Sequence, residues 1–132
     1  LENNVVTKKN LNKFNKNPFL MTTFNETKKI MLSTDNNIKL LIDVGHLKVT
    51  AKTLKFDPKD YIKKLNKWTE AYHLSDNNGI KDQNNNLTSK SWFWKHLKSN
   101  VKFYTLELKD LKLYNIKSQF KLFKKKLKNN IY

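Results

Sequence analysis

The sequence predicts an α/β fold in which about four parallel strands are flanked by helices. Three observations predict it. Short apolar runs of strand length alternate with segments of helical period. The run 38–42 is apolar except at Lys39, as expected of a strand buried on both faces in a parallel sheet. An acidic or imidazole side chain stands at the C-terminal end of each predicted strand: Glu2, Asp43, His73 and Glu107.

Taken in order, Leu1-Glu2 reads as the end of a strand. Residues 11–20 read as a polar loop with apolar anchors, and 26–32 as a short helix. The strand 38–42 ends at Asp43-Val44-Gly45-His46. Asp57-Pro58 then opens a helix, because Asp caps free amides and Pro is tolerated in a first turn. Its apolar stripe is Tyr61, Ile62 and Leu65. Residues 69–74 form the next strand, and 75–90 a polar loop. Ser91 is placed to cap a helix carrying Trp92, Phe93, Trp94 and Leu97. In the strand 101–108, Val101, Phe103, Thr105 and Glu107 share one face, and Tyr104, Leu106 and Leu108 the other. Leu113, Ile116, Phe120, Phe123 and Leu127 recur at helical spacing and predict an amphipathic final helix. Strands joined through helices imply crossover connections and a parallel sheet.

The 132 residues suit one domain, and 38% hydrophobic content supports a modest core. There is no cysteine, which excludes disulfides and thiolate metal sites. No stretch approaches the roughly 20 apolar residues needed to span a bilayer, and Leu1-Glu2-Asn3-Asn4 lacks the apolar core of a secretion signal. We therefore expect a cytoplasmic protein with no membrane partner. The chain starts at Leu in what reads as a strand end, so a truncated chain is expected. The formal charge of +16 would ordinarily point to nucleic acid. All 27 basic residues are Lys, however, and Arg is the residue suited to bidentate phosphate and guanine contacts. With Asn abundant as well, the charge reads as the product of an AT-rich coding sequence, and nucleic acid is not expected as a partner.

Glu2, Asp43, His73 and Glu107 follow one another at steps of about 30–40 residues, each the length of one βα unit. Parallel strand ends lie on one side of a sheet, so these four would meet. Three carboxylates and an imidazole suit a divalent cation such as Mn²⁺, Mg²⁺, Co²⁺ or Zn²⁺. A carboxylate closing an apolar face, as Glu107 does, is costly unless paired or metal-bound. The bland alternative is that these residues are helix caps or solvated acids. His96, Trp92 and Trp94 lie away from the strand ends and read as structural.

The words "LLIDVGHL", "AYHLSDNNG", "DQN", "SWFW" and "FYTLEL", in this order after "LENN", resemble the second half of the xylose isomerase-like TIM barrels. That superfamily holds sugar-phosphate isomerases and epimerases and the endonuclease IV-type apurinic endonucleases. The resemblance covers nearly the whole chain and implies the C-terminal half of a (β/α)₈ TIM barrel, roughly its fifth to eighth βα units. It implies metal ligation by Glu2, Asp43, His73 and Glu107, and a substrate-oxygen contact from His46 in the Asp-x-x-His pattern; a structural hydrogen bond is the alternative role for His46. Asp76 and Asp82 fall in the active-face loop, as substrate-hydroxyl contacts or as solvated acids.

The leading expectation is thus a metal-dependent isomerase or epimerase acting on a sugar or sugar phosphate through a metal-stabilised ene-diolate. Glu2 and Glu107 would be the catalytic pair that removes and returns the proton. An apurinic-site DNA endonuclease is the alternative, although Asp82-Gln83-Asn84 stands where that class has an Asp-x-His pair. A third reading is a half-barrel remnant without activity. A complete barrel takes about 250 residues, so an active enzyme would need a second copy or a complementing N-terminal half.

Overall fold

A computed structural model of the chain describes residues 1–128. Its centre is a three-stranded parallel sheet of β1 (Leu40–Asp43), β2 (Thr69–Leu74) and β3 (Phe103–Leu106), in that spatial order. Five α-helices surround it: α1 (Lys8–Phe14), α2 (Phe24–Ser33), α3 (Val44–Leu54), α4 (Pro58–Leu65) and α5 (Leu113–Lys128). Where about four strands were expected, the N-terminal one is reduced to a single parallel bridge between Glu2 and Leu41, beside β1. No helix among the described residues is long and apolar enough to cross a membrane.

The register fixes the two faces of the sheet. Ile42 stands beside Tyr72 and Tyr72 beside Tyr104; Asp43 stands beside His73 and His73 beside Thr105. Successive side chains alternate between faces, so these two rows point opposite ways. Leu40, Ile42, Tyr72 and Leu74 form one buried cluster with Val44 and Leu47 of α3 and Tyr61, Ile62 and Leu65 of α4. Each such fully buried side chain stabilises the fold by roughly 1.5–3 kcal/mol relative to exposure. The other face is open toward β3, where Phe103 is 67% exposed.

α4 begins where its residues dictate, with Asp57 accepting from the Lys59 amide at 2.9 Å and Pro58 in the first turn. The Tyr61 hydroxyl lies 2.8 Å from Thr27 Oγ1 and donates to the Met21 carbonyl at 3.3 Å, tying α4 to α2.

One helix was not anticipated, and three expectations are corrected. The segment after β1 is helix α3, which starts without a connecting residue: Asp43 ends the strand and caps the helix, its Oδ1 accepting from the His46 amide at 2.8 Å. The polar loop expected at 11–20 is helical in its first part, because Thr7 and Asn10 form a capping box at the start of α1. The helix expected after Ser91 is only a 3₁₀ turn, Trp94–His96, since the Ser91 hydroxyl is spent on Asp76 Oδ2 at 2.7 Å rather than on a cap. The apolar stripe of α5 does not form its buried face. Asn115 and Gln119 are its buried residues, with Asn115 paired to Asn86 and Gln119 accepting from the Leu87 amide at 2.7 Å. Leu113, Ile116 and Phe120 are exposed, while Phe123 meets Tyr104, at 5.3 Å between ring centres.

Candidate metal centre

The sheet brings the strand-end residues to one point. Parallel pairing sets Asp43 directly beside His73. The Glu107 amide donates to the Leu74 carbonyl at 3.0 Å, continuing the ladder one residue past β3. On the other side of β1, Leu41 donates to the Leu1 carbonyl at 2.8 Å. There the Asn3 side chain replaces a backbone partner: its Oδ1 accepts from the Asp43 amide at 2.8 Å and its Nδ2 donates to the Asp43 carbonyl at 3.1 Å. Glu2 is held against the cluster by this pairing.

Glu2, Asp43 and His73 each present a ligand atom within 4.8 Å of the others. His73 Nδ1 lies 3.5 Å from Glu2 Oε1 and 3.8 Å from Asp43 Oδ2. Glu107 joins through His73, its Oε1 lying 2.9 Å from the same nitrogen. All four strand-end residues therefore converge.

The burial of Asp43 is what asks for a cation. Its side chain is fully buried, and its Oδ2 has no hydrogen-bond partner. Burial pushes its carboxyl up to about 6, against the lowering effect of His46. His73 Nδ1 is likewise buried without an aligned hydrogen bond. The orphaned Asp43 Oδ2 and the His73 ring nitrogen, with Glu2 and Glu107 beside them, are oxygen and imidazole donors that suit a divalent ion.

His46 sits at the rim as a cation. Its Nδ1 is 3.0 Å from the Asn3 carbonyl and its Nε2 is 3.2 Å from Asp82 Oδ2. Both neighbours are acceptors, so both ring nitrogens must carry protons, which only imidazolium satisfies. Burial lowers its pKa, but the Asp82 hydrogen bond and the Asp43 charge outweigh it and hold the ring up at about 9. Both nitrogens being so engaged, His46 contributes a positive charge at the edge of the cluster.

Asp76 is committed to the loop. Lys48 Nζ meets its Oδ1 at 2.6 Å, and Ser91 holds its other oxygen. Trp94 is in the core, and Trp92 packs edge-on against Phe93. Two contributors were not legible as such: Asn3, which pins Glu2 and Asp43 together, and Asp82, which fixes the protonation of His46. The only sequence signal for them was their position, directly after Glu2 and in the loop following His73.

Comparison with known protein families, curated proteins and solved structures returned no match.

Proposed function

We propose that the chain is the C-terminal half of a (β/α)₈ barrel and that, once the barrel is completed by a second copy or a complementing half, it is a metal-dependent sugar isomerase or epimerase. The observation that carries this is that Glu2, Asp43 and His73 bring ligand atoms within 4.8 Å of one another at the unpartnered Asp43 Oδ2, with Glu107 beside His73 at 2.9 Å, all at the C-terminal side of the parallel sheet. Barrel enzymes place their chemistry on that end.

Glu2, Asp43, His73 and Glu107 would hold the ion. A bound divalent cation supplies polarisation of a carbonyl and its neighbouring hydroxyl oxygen. Glu2 and Glu107 would act as the base and acid that remove and return the substrate proton. His46, held between the Asn3 carbonyl and Asp82, would set a positive charge beside a substrate oxygen.

The test is Glu107→Gln in the assembled protein. Mn²⁺ binding should persist while exchange of the substrate proton with solvent is lost. Unchanged exchange would remove Glu107 from the reaction, and absence of Mn²⁺ binding in the parent protein would reject the metal site itself.

The pairing of His46 with Asp82 at 3.2 Å favours a second reading, an apurinic-site endonuclease, because it adds an imidazole and a carboxylate beside the first cluster. Asn84 contributes an amide where a further imidazole would be needed, which makes a zinc cluster poorer. Nicking of abasic duplex DNA separates the two.

A further inference from the structure

We propose that the exposed apolar stripe of α5 is a docking surface for an acidic amphipathic helix that this chain does not itself supply. That this helix belongs to the complementing half-barrel rests on the reading above; the surface itself does not.

At about 3.6 residues per turn, α5 divides into three faces. Asn115 and Gln119 dock on Asn86 and Leu87. Leu113, Ile116, Phe120 and Leu127 fall roughly a third of a turn to one side of them. Lys117, Lys121, Lys124 and Lys128 point away from the body of the protein, and all four are exposed. Phe123 lies between the docked face and the stripe, against Tyr104 of β3. The same rotation carries the stripe past β3, the edge strand, which pairs with β2 alone among the described residues. There Leu113, Ile116 and Phe120 are 66%, 37% and 47% exposed. A contiguous apolar row rimmed by charge marks an interaction surface, unlike apolar residues scattered singly.

The sideways position of the stripe selects the shape of its partner. A membrane surface laid on α5 meets the outward face first, and that face is lysine. Only an element lying alongside α5 reaches the stripe. Leu113, Ile116 and Phe120 follow one another at steps of three and four, the spacing at which one helix anchors another.

The charge around the stripe selects the chemistry of that helix. α5 contains no acidic residue. Lys117, Lys121 and Lys124 form no ion pair among the described residues, and Lys124 Nζ lies 4.6 Å over the ring of Phe120, which sets a cation at the border of the stripe. A helix with carboxylates beside its own apolar row would meet that border. A second copy cannot supply one. Glu26 in α2 and Asp60 in α4 are the only acidic residues within the five described α-helices. With 27 lysines against 11 acidic residues in each chain, two copies approach as like charges.

The probe is a fluorescein-labelled synthetic helix with a leucine row on one face and glutamate elsewhere, and its binding to the full chain is read by anisotropy. Binding should saturate and weaken with added salt. Ile116→Ser with Phe120→Ser should weaken it by about ten-fold or more. Lys117→Gln with Lys121→Gln should lower both the affinity and its salt dependence, and tests the surface even where the first pair melts early. Leu20→Ser with Leu32→Ser, exposed elsewhere, should leave binding unchanged. No saturable binding, equal binding of a helix with lysine in place of glutamate, or equal weakening by the Leu20 and Leu32 pair would overturn the proposal. So would stripe-dependent binding to phosphatidylglycerol vesicles without binding of the peptide, or stripe-dependent self-association in sedimentation. A separate Mn²⁺ titration keeps the two readings apart. Peptide binding without Mn²⁺ binding would support the docking surface and sink the isomerase reading; Mn²⁺ binding without peptide binding would do the reverse.

Discussion

Asn3 and Asp43, forty residues apart, are paired through both of the backbone groups of Asp43: one amide side chain accepts from its N–H at 2.8 Å and donates to its carbonyl at 3.1 Å. Asn3→Ala leaves two buried backbone groups without partners. We expect a loss of about 2–4 kcal/mol in urea unfolding, from the cost of unsatisfied buried groups, together with weaker Mn²⁺ binding because Glu2 is no longer held. Unfolding at the parental midpoint would show that the pairing does not support β1.

Asp43 makes the metal-free protein sensitive to acidity in an unusual direction. Its folded carboxyl titrates at about 6 against 3.8 in the unfolded chain, so folding favours the protonated form. Its stabilising contribution is complete below pH 3.8 and is lost as pH rises through 6. In chelator-treated protein this withdraws on the order of 3 kcal/mol over that window. Asp43→Asn keeps an acceptor for the His46 amide and should flatten the slope while abolishing the Mn²⁺-induced rise in Tm. Thermal melts from pH 4 to 7, with and without Mn²⁺, check both.

Asp82→Asn tests what protonates His46. Burial opposes the charge on that ring, and the Asp82 hydrogen bond overcomes it to hold the group up at about 9. The folded value is raised, so the contribution to stability is full below pH 6.5 and lost as pH rises through 9. Removing the carboxylate should move the imidazole titration, followed by NMR in metal-free protein, clearly downward. An unmoved titration would assign the shift to Asp43 instead.

Tyr61→Phe removes a buried hydroxyl that links Thr27 and the Met21 carbonyl to α4. The expected loss is about 1–2 kcal/mol by urea unfolding, with Mn²⁺ binding unchanged. A larger loss would mean that the Thr27 hydroxyl finds no other partner.

What the sequence disclosed followed from local chemistry. β2 is the expected segment, Thr69–Leu74, and α4 starts at its Asp-Pro signal. The alternation of Phe103 and Thr105 against Tyr104 and Leu106 is visible in the sheet register. α3 was hidden because Val44, Gly45, Val49 and Thr50 are poor helix formers, and because Asp43 closes a strand and caps a helix at once. α1 has no buried residue, so no apolar period marks it. α5 docks through amides, which a search for apolar stripes passes over. The convergence of the four strand-end residues was legible, since strand ends share a side. The roles of Asn3 and Asp82 were not, because each depends on a hydrogen bond to a residue tens of positions away.

The sheet face bearing the cluster is open at Phe103 and Thr105, and solvent reaches the outer carboxylates Glu2 and Glu107 while Asp43 is buried. Any surface that covers it would dry those charges and tighten the grip on an ion. Thermodynamic linkage makes the effect mutual: a covering chain that raises cation affinity by some factor is itself bound more firmly by that same factor when the ion is present. In the assembly proposed above, availability of the metal would thereby set how much of the protein is paired.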